Sequence, residues 1–159
     1  MSELRTNRIV PRDGLTSGAY GGIIQIKYAS DTNSQSSTST TMADVTGASV
    51  TITPTRADSA ILIMLTFSGN NAASGGARLQ YQVVRTVGGS SSTIFSVGEA
   101  LVDYGTSNIH VQGIGNNFID TPSTTSAVTY KLQFASHNGT QVQVNNNGRT
   151  DLIVMEIAG

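Results

Sequence analysis

Val128-Thr129-Tyr130-Lys131-Leu132-Gln133-Phe134 alternates apolar and polar side chains without a break, and beyond Asn138-Gly139 the alternation resumes at Val142 and Val144. Side chains of a strand point to opposite faces with a period of two, so such a run buries one face and wets the other. Asn-Gly between two alternating runs is the favoured pair for a two-residue turn, which predicts a β-hairpin across it. Asn147-Gly148 predicts a further turn before the last run, Leu152 to Ala158.

Working outward from this segment, strand-like runs recur at Ile23 to Ala29, Thr38 to Val45, Ser49 to Thr53, Ala60 to Ser68, Arg78 to Val87, Thr93 to Glu99 and Asn108 to Gln112. Turn residues separate nearly all of them, and no helical period appears, the pattern of a sandwich or barrel. Composition points the same way: Val and Ile number 26 against 8 Leu, with three Glu and two Lys. β-branched residues lose rotamer freedom in a helix and little on a pleated surface. The expected fold is therefore all-β, an antiparallel β-sandwich. Ser30 to Thr41 reads equally as a loop or as a polar edge strand.

Two runs break the alternation. Ala60-Ile61-Leu62-Ile63-Met64-Leu65 and Leu152-Ile153-Val154-Met155 are apolar on both faces. With Ile61, Ile63, Leu65 and Phe67 pointing into the core, Leu62 and Met64 need a second dry surface, and Leu152 and Val154 are assigned to it as well. Identical neighbouring subunits are the expected supplier, which makes these four residues a candidate oligomer interface; cover by the chain's own arm or a loop is the alternative.

The first 22 residues differ from the rest. Arg5, Arg8 and Arg12 are three of only nine basic residues, Ile9-Val10-Pro11 favours an extended backbone, and Gly18-Ala19-Tyr20-Gly21-Gly22 reads as a hinge. An extended apolar stretch flanked by arginines cannot bury itself and needs another surface. The predicted organisation is an arm and hinge over residues 1–22 and one sandwich domain over 23–159.

Enzyme chemistry finds no footing in this sequence, and no cofactor or metal is expected. There is no cysteine, His110 and His137 stand apart from any triad element, and Gly113-Ile114-Gly115-Asn116-Asn117-Phe118 lacks the third glycine of a dinucleotide loop. Glu99, Asp103 and Asp120 are far apart in sequence, with nothing to pair them for glycoside hydrolysis. An Asn-rich calcium site at Asn145-Asn146-Asn147 lacks regular ligand spacing. Tyr81 and Tyr130 fall in register with apolar neighbours and read as core or interface residues. A net charge of −1 argues against nucleic acid and anionic membrane as partners. No run is apolar enough for a span or a signal peptide, so the expectation is a soluble chain made in the cytoplasm.

Leu4-Arg5-Thr6-Asn7-Arg8-Ile9-Val10-Pro11-Arg12-Asp13-Gly14, the glycine hinge and Gly21-Gly22-Ile23-Ile24-Gln25 resemble small virion structural proteins of tailed bacteriophages, especially those of cyanobacterial and marine hosts. Asp44-Val45-Thr46-Gly47, Val50-Thr51-Ile52-Thr53-Pro54, Ala127 to Phe134 and Leu152 to Ile157 resemble the jelly-roll module of those proteins. The resemblance implies a homotrimer of jelly-roll domains on the virion. Leu4, Arg5, Arg8, Ile9, Val10 and Arg12 would anchor it to the major capsid protein or another virion protein. It implies capsid decoration (cement), favoured by the short chain without a shaft, or a short tail or head fibre. In the fibre alternative the partner is a host-surface glycan, read by loops such as Gly69 to Gly76, Gly88 to Ser92 or Tyr104 to Asn108.

Overall fold

A computed structural model describes residues 21–71, 76–102 and 109–159, with the side chain of residue 101 left out. Ten strands follow in order: β1 (Ile23–Asp31), β2 (Gln35–Ser37), β3 (Ala43–Ile52), β4 (Ala60–Asn71), β5 (Arg78–Val87), β6 (Ser90–Val102), β7 (His110–Asp120), β8 (Val128–Ser136), β9 (Val142–Val144) and β10 (Thr150–Ile157). They form two sheets, and every pairing is antiparallel.

One sheet runs β1-β10-β4-β7. The short β9 continues the line of β10 along β4, and β2 continues the line of β1 along β9. The facing sheet runs β3-β8-β5-β6. The chain passes repeatedly from one sheet to the other, the connectivity of a jelly-roll-like β-sandwich. Inward residues of both sheets form one core: Ile61, Ile63, Leu65 and Phe67 of β4 and Leu152 and Val154 of β10 meet Tyr81 and Val83 of β5 and Val128, Tyr130, Leu132 and Phe134 of β8. Each large side chain taken fully out of water contributes about 1.5–3 kcal/mol, so these alternating faces supply the main cohesion.

Three expectations need correction. The first concerns Asn138-Gly139, which does not close a hairpin: β8 lies in one sheet and β9 in the other, and the segment carries the chain across the sandwich. Its hydrogen bonds serve that crossing, with Ser136 Oγ donating to Thr140 O at 2.6 Å and Asn138 Nδ2 to Gly76 O at 2.5 Å. The tight hairpin lies instead at Gly88-Gly89, where φ of +57° and +86° at both central residues suits the twist of β5 and β6, and Val87 pairs with Ser90.

The second concerns Leu152 and Val154. Both are completely buried within the single chain. Their strand faces the core with its even-numbered residues, so the outward apolar pair on β10 is Ile153 and Met155. Leu62 and Met64 do point outward, half-buried, as the alternation in β4 requires.

The third concerns the strand expected at Asn108 to Gln112, which continues to Asp120. The glycines and asparagines of Gly113 to Asn117 disguise a strand that β4 holds in place residue by residue, from Phe67↔Ile114 to Ile61↔Asp120. Two predicted strands around Thr46-Gly47 likewise merge into β3 with a bulge between Asp44 and Ser49, and the polar Gln35–Ser37 forms the short β2.

Candidate functional site

The two outer faces of the sandwich differ sharply. On the β3-β8-β5-β6 sheet the register aligns rows of polar side chains, Thr51-Thr129-Thr86-Ser91 and Asp44-Gln133-Gln82-Ser96. Thr51 and Thr129 hydroxyls lie 2.8 Å apart, Lys131 Nζ is 2.8 Å from Asp44 Oδ2, and Gln82 Nε2 donates to Gln133 Oε1 at 2.7 Å. Burial pushes the Asp44 carboxyl up, but hydrogen bonds from Lys131 and Gln133 and the lysine charge leave it below its ordinary value. Between these two rows lies Ser49-Lys131-Val84-Thr93, so the face is mostly polar, with Val84 as an apolar member.

On the β1-β10-β4-β7 sheet the register aligns Ile26-Met155-Leu62-Ile119 in one row and Tyr28-Ile153-Met64-Asn117 in the next. Seven of these eight side chains are apolar or aromatic. Ile26, Tyr28 and Ile119 are 54%, 75% and 47% exposed. All five large apolar side chains left exposed among the described residues, Ile23, Ile24, Ile26, Tyr28 and Ile119, belong to β1 or β7 of this sheet. The strands are about 4.8 Å apart and rise about 3.3 Å per residue, so the field covers on the order of 300 Å². Sequence reasoning found its central pair, Leu62 and Met64; it missed β1 and β7 because their membership depends on which strands flank β4.

The arm candidates Leu4, Arg5, Arg8, Ile9, Val10 and Arg12 lie outside the described residues. The described chain begins beside the C-terminal end of β10: Gly21 N donates to Ala158 O at 2.7 Å, and Ala158 N to Gly22 O at 3.0 Å. Gly21 and Gly22 therefore extend the β1-β10 ladder.

The same end of the sandwich holds a buried carboxylate that the sequence reading passed over. Glu156 has no exposed surface. It accepts from Gln25 Nε2 at 2.6 Å, Thr55 N at 2.7 Å, Thr55 Oγ1 at 2.8 Å and Ser59 Oγ at 2.8 Å. Burial pushes its pKa up, and these donors more than reverse that, leaving it below the ordinary value. All four contacts are donated to the carboxylate, so the arrangement ties β1 and the β3–β4 connection to β10.

Asp120 is likewise occupied: Arg85 Nη1 lies 2.9 Å from Oδ1, and Tyr130 Oη donates to Oδ2 at 2.8 Å. Burial first, then the Asp120 carboxylate, drives the Tyr130 phenol well above its ordinary range, so it stays protonated. Tyr81 is also a core residue, its ring edge-on to Phe67 with centroids 4.9 Å apart and its hydroxyl bonded to Asn116. Glu99 sits elsewhere, with Arg78 at 2.5 Å and His137 Nε2 at 3.6 Å. Glu99 and Asp120 are not brought together, and Asp103 lies outside the described residues. Among the described residues no three His, Cys, Asp or Glu side chains gather as metal ligands.

No protein-family model matches the chain, and no curated protein matches it. Among solved structures, the chain is similar to one described as the structure of infectious bursal disease virus, Gx strain, at 9% sequence identity and a TM-score of 0.41. The similarity covers 97% of this chain and 43% of the other, so the chain spans less than half of that longer one.

Proposed function

We propose that the protein is a bacteriophage virion structural protein, a capsid-decoration protein that assembles as a homotrimer and grips the head shell with its N-terminal arm. The observation that carries this reading is the apolar outer field of β1-β10-β4-β7, set against an opposite face that is mostly polar, with Val84 among its polar rows. The core side of β4 and β10 is already filled, so apolar side chains on their outer side are free to meet a covering surface. Three copies about an axis can turn these fields toward one another, and such a field serves as the centre of an interface whose polar rim completes the roughly 800 Å² per partner of a stable contact.

Trimer and arm come from the resemblance of Leu4 to Gly14 to phage structural proteins, and the physics of the two fits together. Arg5, Arg8 and Arg12 pair with acidic groups on the shell while Leu4, Ile9 and Val10 fill an apolar groove. Three arms on one trimer make the second and third grips intramolecular, which raises avidity by about 10²–10⁴ when the geometry allows simultaneous engagement.

The test is co-sedimentation with undecorated, DNA-free heads, comparing the full chain with a deletion of residues 1–18. The full chain pellets with heads, and the deletion stays in the supernatant while keeping its oligomeric mass. A full-length oligomer that ignores heads moves the protein to a fibre; a deletion that still binds refutes anchoring by the arm.

A further inference from the structure

The sequence holds two Asn-Gly pairs, Asn138-Gly139 and Asn147-Gly148. Asparagine is among the thermolabile residues, and a glycine after it leaves the next backbone nitrogen unshielded by a side chain, within reach of the asparagine amide carbon. Both asparagines are exposed. Sequence and access to water therefore treat the two alike, and the fold separates them by what holds each side chain.

Asn138 is held at both ends of its amide. Its Oδ1 accepts from Thr140 N at 3.3 Å and from Ser136 Oγ at 3.4 Å, and its Nδ2 donates to Gly76 O at 2.5 Å. The Asn147 side chain makes no hydrogen bond among the described residues; the turn uses its backbone carbonyl instead, which accepts from Gln112 Nε2 at 3.1 Å. The attacking nitrogens differ little. Gly148 N donates to Asn145 O at a long 3.4 Å, and Gly139 N donates to no backbone carbonyl among the described residues, so the side chains decide.

The pair at residues 147–148 is also fixed by the backbone around it. Asn147 takes φ of +54°, a conformation that asparagine tolerates better than most residues. Gly148 packs directly on β4: a Cβ there would stand 2.5 Å from Ser68 Cβ and 2.8 Å from Gln112 Oε1, too close for any side chain. The passage from β9 to β10 thus calls for a residue at home at positive φ followed by glycine, and the sequence meets that call with its labile pair.

We propose that Asn147 is a site of self-modification, where the folded chain converts asparagine to aspartate and isoaspartate while Asn138 stays intact. Gly148 N bonds to Asn147 Cγ, the Cγ–Nδ2 bond breaks, and ammonia leaves with the proton from Gly148 N, closing a succinimide ring. Water then opens the ring at Cγ to give aspartate or at the backbone carbonyl to give isoaspartate, whose main chain is longer by one methylene. Either product adds a negative charge. The extra methylene falls in a turn tied to β4 by Asn145 N donating to Ser68 O at 3.1 Å and Ser68 N to Arg149 O at 3.2 Å, so isoaspartate loosens β9 and the start of β10 from β4. The reaction needs only this chain and water, and it stands apart from the proposed anchoring and assembly.

The test is peptide mapping by mass spectrometry on the full-length protein aged in mildly alkaline buffer at body temperature, with isoaspartate read by enzymatic methylation and the same protein unfolded in guanidinium as reference. In the folded protein residue 147 is expected to convert about tenfold faster than residue 138, as for an amide whose hydrogen bonds must open before it can react. In guanidinium the two rates become similar. Asn147→Gly, which keeps the positive φ, removes the fast phase. Equal rates in the folded protein, faster conversion at Asn138, a difference that persists in guanidinium, or an Asn147 that stays intact while the unfolded chain reacts overturns the proposal.

Discussion

Leu62 and Met155 stand directly opposite one another on adjacent antiparallel strands, on the side of the sheet that turns away from the core. One register position away, Ile63 stands opposite Val154 on the core side. A strand pair that is apolar on both sides has two hydrophobic jobs. The core does the first within one chain, and the second requires a surface from outside this sheet.

Neighbouring residues of β10 separate the two jobs. Leu152→Ala opens the core and is expected to cost about 2–5 kcal/mol in urea denaturation. Ile153→Ala, on the outer face, is expected to cost less than about 1 kcal/mol in the isolated subunit while weakening self-association. Equal losses of subunit stability at the two positions would show that the outer face is packed within the single chain.

Glu156 sets a pH dependence. Its folded pKa lies below the ordinary value of 4.5, because the Gln25, Thr55 and Ser59 donors outweigh burial. The stabilisation is therefore complete above about pH 4.5 and is lost as pH falls through the lower folded value. Chemical denaturation between pH 7 and pH 3 should show stability falling in the acid range. Glu156→Gln should lower stability at pH 7 by about 1–3 kcal/mol, since an amide N–H would meet donors, and should flatten the acid slope. A slope unchanged in that variant would assign the acid sensitivity to other carboxylates.

Tyr130→Phe removes one of the two groups that hold Asp120. Arg85 remains at 2.9 Å, so the carboxylate keeps a charged partner, and the expected cost is about 1 kcal/mol in thermal or urea unfolding. Arg85→Met leaves Asp120 with only the phenol and should cost more. A larger loss from Tyr130→Phe than from Arg85→Met would mean that the phenol, and not the guanidinium, is the principal partner.

The legible parts of the fold were those carried by local alternation. Arg78 to Val87 and the run from Val128 to Ser136 read as strands because their own side chains alternate. The inward set Ile61, Ile63, Leu65 and Phe67 follows in the same way. What stayed hidden depended on neighbours distant in sequence. Gly113 to Asn117 has poor strand propensity and becomes β7 because β4 offers it a continuous ladder. Asn138-Gly139 has the residues of a hairpin but joins different sheets, since β9 finds its partner in the end of β4. Leu152 and Val154 could not be told from Ile153 and Met155, because a strand apolar on both faces carries no mark of which side is inside. Asn138 and Asn147 read alike as Asn-Gly, and what separates them is side-chain hydrogen bonding to partners as distant as Gly76, which only the folded chain supplies.

The central claim is that the β1-β10-β4-β7 face joins copies of the chain, and the most direct test is the solution mass by sedimentation equilibrium of the full-length protein beside Met64→Glu. Met64 is half-buried and outward, so glutamate there leaves the core intact and places a charge in the middle of the apolar field of every copy. The expected result is a wild-type mass three times that of the 16.6 kDa chain and a folded monomer for the variant. A monomeric wild type, or an assembly that Met64→Glu leaves unchanged, would contradict it.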